Sequence, residues 1–218
     1  MEDNLEVIYD KRFSGREQER DKVWRVLTRH FFQRWVRPTD VVLDVGAGYC
    51  EFINNIQAGG KYALDLNPAT ATRAGADVRV LSQDVTAAWA LASASVDVVF
   101  SSNFFEHLPS KDALQHCLRE IHRVLRPGGR LLAMGPNIRF CYDVYWDFFD
   151  HFLPLSDRSL VEAMEIEGLQ VERAIPRFLP FTMKGKSPPP APFIRLYLGL
   201  PVFWKLLGKQ FLLIARKP

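Results

Sequence analysis

Acidic residues are missing from the last fifth of this 218-residue chain: none follows Glu172. Cysteine is scarce as well. Cys50, Cys117 and Cys141 are scattered, odd in number and without a C-x-x-C pair, which argues against a disulfide framework and gives no zinc-site spacing. A reducing, cytoplasmic setting is the default expectation for such a chain. The opening MEDNLEVIYD is acidic where a secretory leader would be basic and then apolar, so no export signal is expected. There is also no clean apolar run of the roughly 20 residues that a membrane span needs. The greasiest stretch, PFIRLYLGLPVFWKLLGK, is interrupted by Arg195, Pro201 and Lys205. Internal repeats are absent, and the only low-complexity tract is the three prolines at 188–190.

What is present fits a globular domain. Hydrophobic residues make up 48% and charged residues 24%, and the length suits one domain or one domain with an insertion. Charge is distributed unevenly. Nine of the 28 basic residues lie from Arg173 onward while all 25 acidic residues precede it, so the body is six negative and the tail nine positive. That asymmetry points to an anionic partner of the tail: a membrane surface, a phosphorylated substrate or nucleic acid.

The stretch VVLDVGAGYCEF, Val41 to Phe52, organises the rest. It reads as a buried strand, Val41 to Val45, a tight glycine turn and the start of a helix over Glu51 to Ile56. Gly46 and Gly48 lack a Cβ, so the backbone can take positive φ and a ligand can approach main-chain N–H groups. Asp44 lies at the C-terminal end of the strand, where ligands of open α/β sheets bind. In KYALDLNP a second strand, Tyr62 to Leu66, carries Asp65 near its end. This carboxylate, roughly 20 residues beyond the turn, is placed to accept both hydroxyls of a ribose. A third strand, Val78 to Leu81, leads to Asp84 and Val85, which suit an adenine amine and face, or else Asp84 caps a turn. VDVVFS, Val96 to Ser101, reads as a central strand buried on both faces and ends in SNFFEHL.

An amphipathic helix is expected over Arg16 to Val36, with Val23, Leu27, Phe31 and Trp35 on one stripe. Before it, Tyr9, Lys11, Arg12 and Phe13 form a lead-in that either folds over a ligand or merely connects. Ser110 caps a helix running to Leu125, and Arg126-Pro127-Gly128-Gly129 stops it. Arg130 to Gly135 is the next strand. Residues 138–168 are dense in aromatics and carboxylates and end in a helix over Ser156 to Glu167; they are expected to form the acceptor region. Strands at Leu169 to Ile175 and Gln210 to Ala215 enclose an apolar, basic insertion at 176–208, too long for a hairpin turn. Its Phe193, Leu196, Leu200, Phe203, Trp204 and Leu207 suit a helix in a membrane interface, a lid over an apolar substrate, or packing on the core. The alternation of strands and helices gives an α/β, doubly wound sheet.

The motifs VLDVGAGYCEF, ALDLNP, QDV, DVVFSSNFFEHL and LRPGGRLLAMGPN, in this order, resemble the class I S-adenosylmethionine-dependent methyltransferases of the small bacterial type. The likeness covers roughly Val41 to Asn137. It implies a Rossmann-like sheet of seven strands, mostly parallel with an antiparallel last strand. By the same resemblance Asp44 and the backbone of Gly46, Ala47 and Gly48 hold the methionine end of S-adenosyl-L-methionine, Asp65 the ribose, and Asp84 with Val85 the adenine. Leu66 lies beside the adenosine, and Asn103 and Phe104 contact the methionine moiety. Cys50 departs from the family's third glycine; a small side chain there still fits. An NAD-type Rossmann fold would need glycine at Glu51 and leaves Asp44 unexplained.

For a hydroxyl acceptor a base is required, and Asp150-His151 is the candidate pair, the carboxylate orienting the imidazole, with His107 as the alternative. No metal site is expected; His116 and Glu120, one turn apart, read as a solvated helix face. The acceptor expected is a saccharide or lipid-linked, isoprenoid-like hydroxyl, with possible membrane contact through 188–208 at the inner face. A tRNA methyltransferase and a non-catalytic cofactor-binding module are the alternatives. Proline and leucine dominate the basic tail and no aromatic stacking platform is evident, so nucleic acid is disfavoured.

Overall fold

The computed structural model describes Gly15, residues 17–181 and residues 188–218. The lead-in at Tyr9, Lys11, Arg12 and Phe13, and the basic pair Lys184 and Lys186, lie outside the described residues. In chain order the elements are α1 (Glu17–His30), a 3-10 turn (Phe32–Trp35), β1 (Val41–Val45), α2 (Glu51–Asn55), β2 (Gly60–Leu64), α3 (Pro68–Arg73) and β3 (Val78–Leu81). Then follow β4 (Val96–Ser102), a 3-10 turn (Phe105–His107), α4 (Lys111–Val124), β5 (Leu125–Pro136), α5 (Ile138–Tyr145) and α6 (Asp157–Ile166). The last are β6 (Gln170–Ile175), α7 (Ala191–Gly199), α8 (Pro201–Leu207) and β7 (Gln210–Arg216). The seven strands hydrogen-bond in the order β3-β2-β1-β4-β5-β7-β6, with β7 antiparallel to both its neighbours. This is the expected doubly wound, seven-stranded α/β sheet. The chain divides into two compact units, Met1–Asp84 with Thr182–Pro201, and Val85–Phe181 with Val202–Pro218.

In the first unit β1, β2 and β3 pair in parallel. Val42, Leu43 and Val45 of β1 are fully buried because their β-branched and leucine side chains serve both faces of the sheet. The expected helix over Arg16 to Val36 is interrupted: Phe31 leaves helical geometry at φ −126° and a 3-10 turn follows. An unbroken helix would turn Phe32 about 100° away from Phe31; the break lets both reach the core, edge to face at 5.3 Å, with Phe32 also against Phe52. Strand β2 begins two residues earlier than expected. Gly59 and Gly60 both donate N–H to the Asp40 carbonyl, and a Cβ on Gly59 would sit 2.9 Å from the Thr39 oxygen, so the pairing starts at the glycines.

In the second unit β4 and β5 are parallel. Ser110 accepts the Ala113 N–H as N-cap of α4, whose Leu114, Cys117, Leu118, Ile121 and Val124 are buried. Strand β5 starts at Leu125, five residues before the expected Arg130, because Leu125 pairs with Val96 and a register shift absorbs the Arg-Pro-Gly-Gly segment. Ser156 and Ser159 form a reciprocal cap on α6. The solvated face expected for Glu120 is not observed. Its buried carboxylate takes the Trp89 N–H at 2.8 Å and a two-pronged Arg123 contact at 2.7 Å, which pulls burial, not solvent, onto that side of α4.

The basic tail is partly used internally. Arg177 donates to the Gly208 and Leu206 carbonyls at the end of α8. Arg216 lies 3.3 Å from Glu172, and Lys217 donates to the His122 and Leu125 carbonyls past the end of α4. Pro201 divides the apolar insertion into α7 and α8. On α7 Ile194 and Leu198 are buried while Phe193 and Leu196 are exposed; on α8 Val202, Leu206 and Leu207 are exposed. No helix among the described residues is long and apolar enough to cross a membrane.

Candidate functional site

The glycine turn after β1 is built from backbone. Gly46 (φ 71°) and Gly48 (φ 51°) take the left-handed conformation that the sequence anticipates. Their neighbours pin the loop: Gly46 N–H and Ala47 N–H donate to the Leu64 carbonyl at the end of β2, and the buried Thr70 hydroxyl donates to the Gly48 carbonyl at 2.8 Å. Cys50 also takes positive φ (61°), where a non-glycine residue costs about 1–2 kcal/mol. The family's third glycine therefore has a conformational reason, and Cys50 meets it by strain rather than by size alone. Burial, and then the charges of Asp44, Asp65 and Glu51, push its thiol up to about 12, so it is no nucleophile at neutral pH.

Asp65 stands directly after β2. It accepts Gly48 N–H at 2.7 Å on one oxygen and Asn67 N–H at 2.8 Å on the other. Both oxygens are thus held in place. Leu66 beside it is partly exposed. Asn67, buried, caps α3 through Ala69 N–H. Asp44 is buried at the end of β1. Burial drives its carboxyl well above the usual carboxylate range, Asp65 and Glu51 push the same way, and one N–H from Ile53 opposes them. Glu51 is itself paired with Arg20 at 2.7 Å. The result is a backbone-lined turn faced by acidic groups that repel one another, a setting that favours a ligand bearing positive charge and vicinal hydroxyls. Asp84 is exposed three residues after β3. The sequence reads Asn67-Pro68 as the opening of a helix, which holds; it gives no signal for Thr70.

In the second unit Asn103 follows β4 at φ 50° and donates its amide to the Ser102 hydroxyl. Positive φ at a non-glycine residue marks a constrained position. Phe104 is half-buried beside it, and Val85 is buried, its carbonyl accepting the Trp89 indole N–H.

The three candidate catalytic residues of this unit are brought together. Phe152 and Leu153 donate backbone N–H groups to the Glu106 carbonyl at 2.8 and 3.0 Å, stitching residues 150–153 to the 3-10 turn at Phe105–His107. His107 and His151 rings lie 5.0 Å apart. His107 Nδ1 is 2.8 Å from the Asp150 carbonyl and 3.3 Å from its carboxylate. Asp150 thus faces His107, the alternative base of the sequence reading. A carbonyl only accepts, so Nδ1 is the donor in this contact. His151 is buried and stacked on Phe148 at 4.7 Å, with Tyr145 at 4.6 Å. Tyr145 donates its hydroxyl to the Leu153 carbonyl, and burial raises its phenol. Gly135 leaves room here: a Cβ would lie 3.5 Å from Glu106 Oε2 and 3.2 Å from Phe211. In the aromatic-rich segment that the sequence marks, Tyr142, Trp146, Phe149 and Phe152 are exposed.

Residues 43–133 match the family model described as a methyltransferase domain. A search of the curated proteins finds no match. Among solved structures, a methyltransferase of Haloferax volcanii in complex with its Trm112 activator is 20% identical with a TM-score of 0.69, covering 97% of this chain and 96% of that one. A SAM-dependent methyltransferase from Archaeoglobus fulgidus is 18% identical with a TM-score of 0.68, covering 98% and 99%. A geranyl diphosphate C-methyltransferase from Streptomyces coelicolor, solved with Mg2+, geranyl diphosphate and S-adenosyl-L-homocysteine, is 15% identical with a TM-score of 0.62, covering 89% and 78%. At these identities the likeness is one of fold.

Proposed function

We propose that this chain, whose residues 43–133 match a methyltransferase domain, uses S-adenosylmethionine to transfer a methyl group to a hydroxyl of a small acceptor, a saccharide or a lipid-linked, isoprenoid-like molecule. The observation that carries the reading is the pair of preorganised elements: a carboxylate fixed by two backbone N–H groups at the glycine turn, and an imidazole fixed by Asp150. Asp65 holds the ribose hydroxyls, Leu66 packs on the adenosine, and the backbone of Gly46, Ala47 and Gly48 with Asp44 holds the methionine end. The positive charge of the cofactor's sulfonium and ammonium offsets the repulsion among Asp44, Asp65 and Glu51. Asp84 and Val85 are assigned to the adenine, Asn103 and Phe104 to the methionine moiety, as the family resemblance implies.

In the reaction the acceptor oxygen loses its proton to the His107–Asp150–His151 cluster and attacks the methyl carbon in line. The carbon–sulfur bond breaks with its electron pair going to sulfur, leaving S-adenosylhomocysteine and the methyl ether. The exposed aromatics Tyr142, Trp146, Phe149 and Phe152 offer flat faces to a sugar or prenyl chain. The exposed apolar side chains of α7 and α8 serve the apolar portion of the acceptor or the membrane carrying it. The geranyl diphosphate C-methyltransferase, a neighbour in fold, supports an isoprenoid acceptor. The same aromatic surface suits stacked bases, which keeps tRNA as the second reading, although Arg177, Arg216 and Lys217 are turned to internal carbonyls and carboxylates.

Calorimetry with S-adenosylmethionine and S-adenosylhomocysteine tests the first part: both bind, and absence of binding overturns the enzyme reading. Release of S-adenosylhomocysteine across saccharide, polyprenyl and tRNA acceptors tests the second. Turnover on tRNA alone would replace the small-molecule acceptor.

A further inference from the structure

We infer that Glu106, His107 and His151 form a binding site for a divalent first-row transition-metal ion, with zinc as the best fit. One ligand atom from each of the three lies within 4.8 Å of the other two. This reverses the sequence expectation, which looked for metal only at His116 and Glu120 and found none.

The donor set is two imidazoles and one carboxylate. Such a set suits zinc and its neighbours and leaves one or more positions open for water or substrate. Bonds of about 2.0–2.2 Å place tetrahedral donors about 3.4 Å apart, so a cluster whose donors lie within 4.8 Å of one another contracts by up to ~1.4 Å on binding. His107 is the one member of the three that is not buried. The surroundings are those of an oriented ligand rather than a chance grouping. The Asp150 carbonyl and carboxylate both face His107 Nδ1, which leaves Nε2 as the donor and is the outer-shell arrangement that fixes a metal-bound histidine. Glu106 is 3% and His151 7% exposed, and Tyr145, Phe148 and Phe181 surround the second imidazole. A low-dielectric wall of this kind strengthens the attraction between a cation and a buried carboxylate. Two chain segments supply the donors, and the Phe152 and Leu153 N–H bonds to the Glu106 carbonyl hold them in register.

Its use rests on the acceptor reading above. An acceptor hydroxyl bound at the open position loses its proton near neutral pH; the proton passes to solvent, and the oxygen attacks the methyl carbon as already described. The ion then does the deprotonation for which a free imidazole was proposed.

The test is metal binding by the intact chain, independent of any acceptor. After treatment with chelator, zinc titration by calorimetry is expected to show one site per chain, and cobalt(II) is expected to give a visible d–d band without the thiolate charge-transfer band that a cysteine ligand would add. His107→Ala and Glu106→Gln should each weaken binding at least ~100-fold, in line with loss of a ligand, while His122→Ala leaves it unchanged. S-adenosylhomocysteine affinity of each variant reports that the fold is intact. No stoichiometric binding of zinc or cobalt by the wild-type chain overturns the site, and so does binding that survives both substitutions. Either failure leaves the methyl-transfer reading standing, since that falls only if the cofactor does not bind.

Discussion

The glycine turn of the first unit and the histidine cluster of the second reach similar order by opposite means. At the turn, order is carried by main-chain atoms whose conformation glycine dictates, and Asp65 is fixed by N–H groups of Gly48 and Asn67. At the cluster, the groups proposed to act are side chains, and bonds between residues more than 40 positions apart assemble it. A turn that needs positive φ writes itself into the residue types. A cluster joined through carbonyl oxygens does not, because any residue can donate an amide N–H.

Five measurements sharpen this contrast. Asp65→Ala removes the carboxylate that the proposal assigns to the cofactor's ribose and should weaken S-adenosylhomocysteine binding by ~100-fold or more, about 3 kcal/mol, whereas His107→Ala leaves it within about twofold; equal losses in calorimetry would erase the division of labour. Glu120→Ala leaves the buried Trp89 N–H without its acceptor and takes the carboxylate from Arg123, which keeps the Leu91 and Trp89 carbonyls, and should cost about 2–3 kcal/mol of folding stability by urea denaturation, with cofactor affinity corrected for folding unchanged.

Asp44→Asn should act in two directions at once. The folded pKa of Asp44 is raised above its unfolded value, so its protonated form stabilises the fold. That contribution is complete below the unfolded carboxylate pKa of about 3.9 and is lost as pH rises through the folded pKa. Asparagine mimics the protonated state. The variant's melting temperature without ligand should exceed the wild type's at pH 8 and converge with it toward acid, while S-adenosylmethionine binds more weakly. A parallel pH profile for the two proteins would remove the electrostatic account of the turn.

Two smaller effects concern the tail. Replacing exposed Phe193 and Leu196 of α7 by Ser should reduce binding to anionic liposomes by about tenfold through lost apolar burial; unchanged flotation removes the membrane proposal and leaves the lid. Arg177→Ala uncaps α8 and should cost about 1 kcal/mol in thermal denaturation without altering liposome binding, since its charge is engaged within the chain. A loss of liposome binding would return Arg177 to the anionic-partner surface.

Much of the fold was legible because buried parallel strands and capped helices leave strong local patterns. β1, β3, β4 and α4 fall within a residue of their expected limits, with Ser110 capping α4 as read. The misses have identifiable causes. The end of α1 broke so that adjacent Phe31 and Phe32 could both be buried, a demand of the core rather than of the helix. Strand β5 began early because its partner Val96 offered a bond, and pairing across a sheet is invisible in one strand's sequence. The contact between His107 and Asp150 was invisible for the same reason: it joins residues 43 positions apart, and only chain folding brings them together.

The tail illustrates the limit on charge arguments. Counting nine cations suggested an external anion, yet a carbonyl at a helix end attracts lysine and arginine as well, and composition cannot tell the two apart. By itself the sequence determined the alternating α/β order, the glycine turn with Asp44 and Asp65 at strand ends, and through them the cofactor class, because these depend on periodicity and on backbone conformations open to few residues. Only the tertiary structure decided that His107, Asp150, His151 and Glu106 belong to one cluster, and that Arg177, Arg216 and Lys217 of the tail are engaged within the chain, because those outcomes depend on contacts between distant segments that no local pattern encodes.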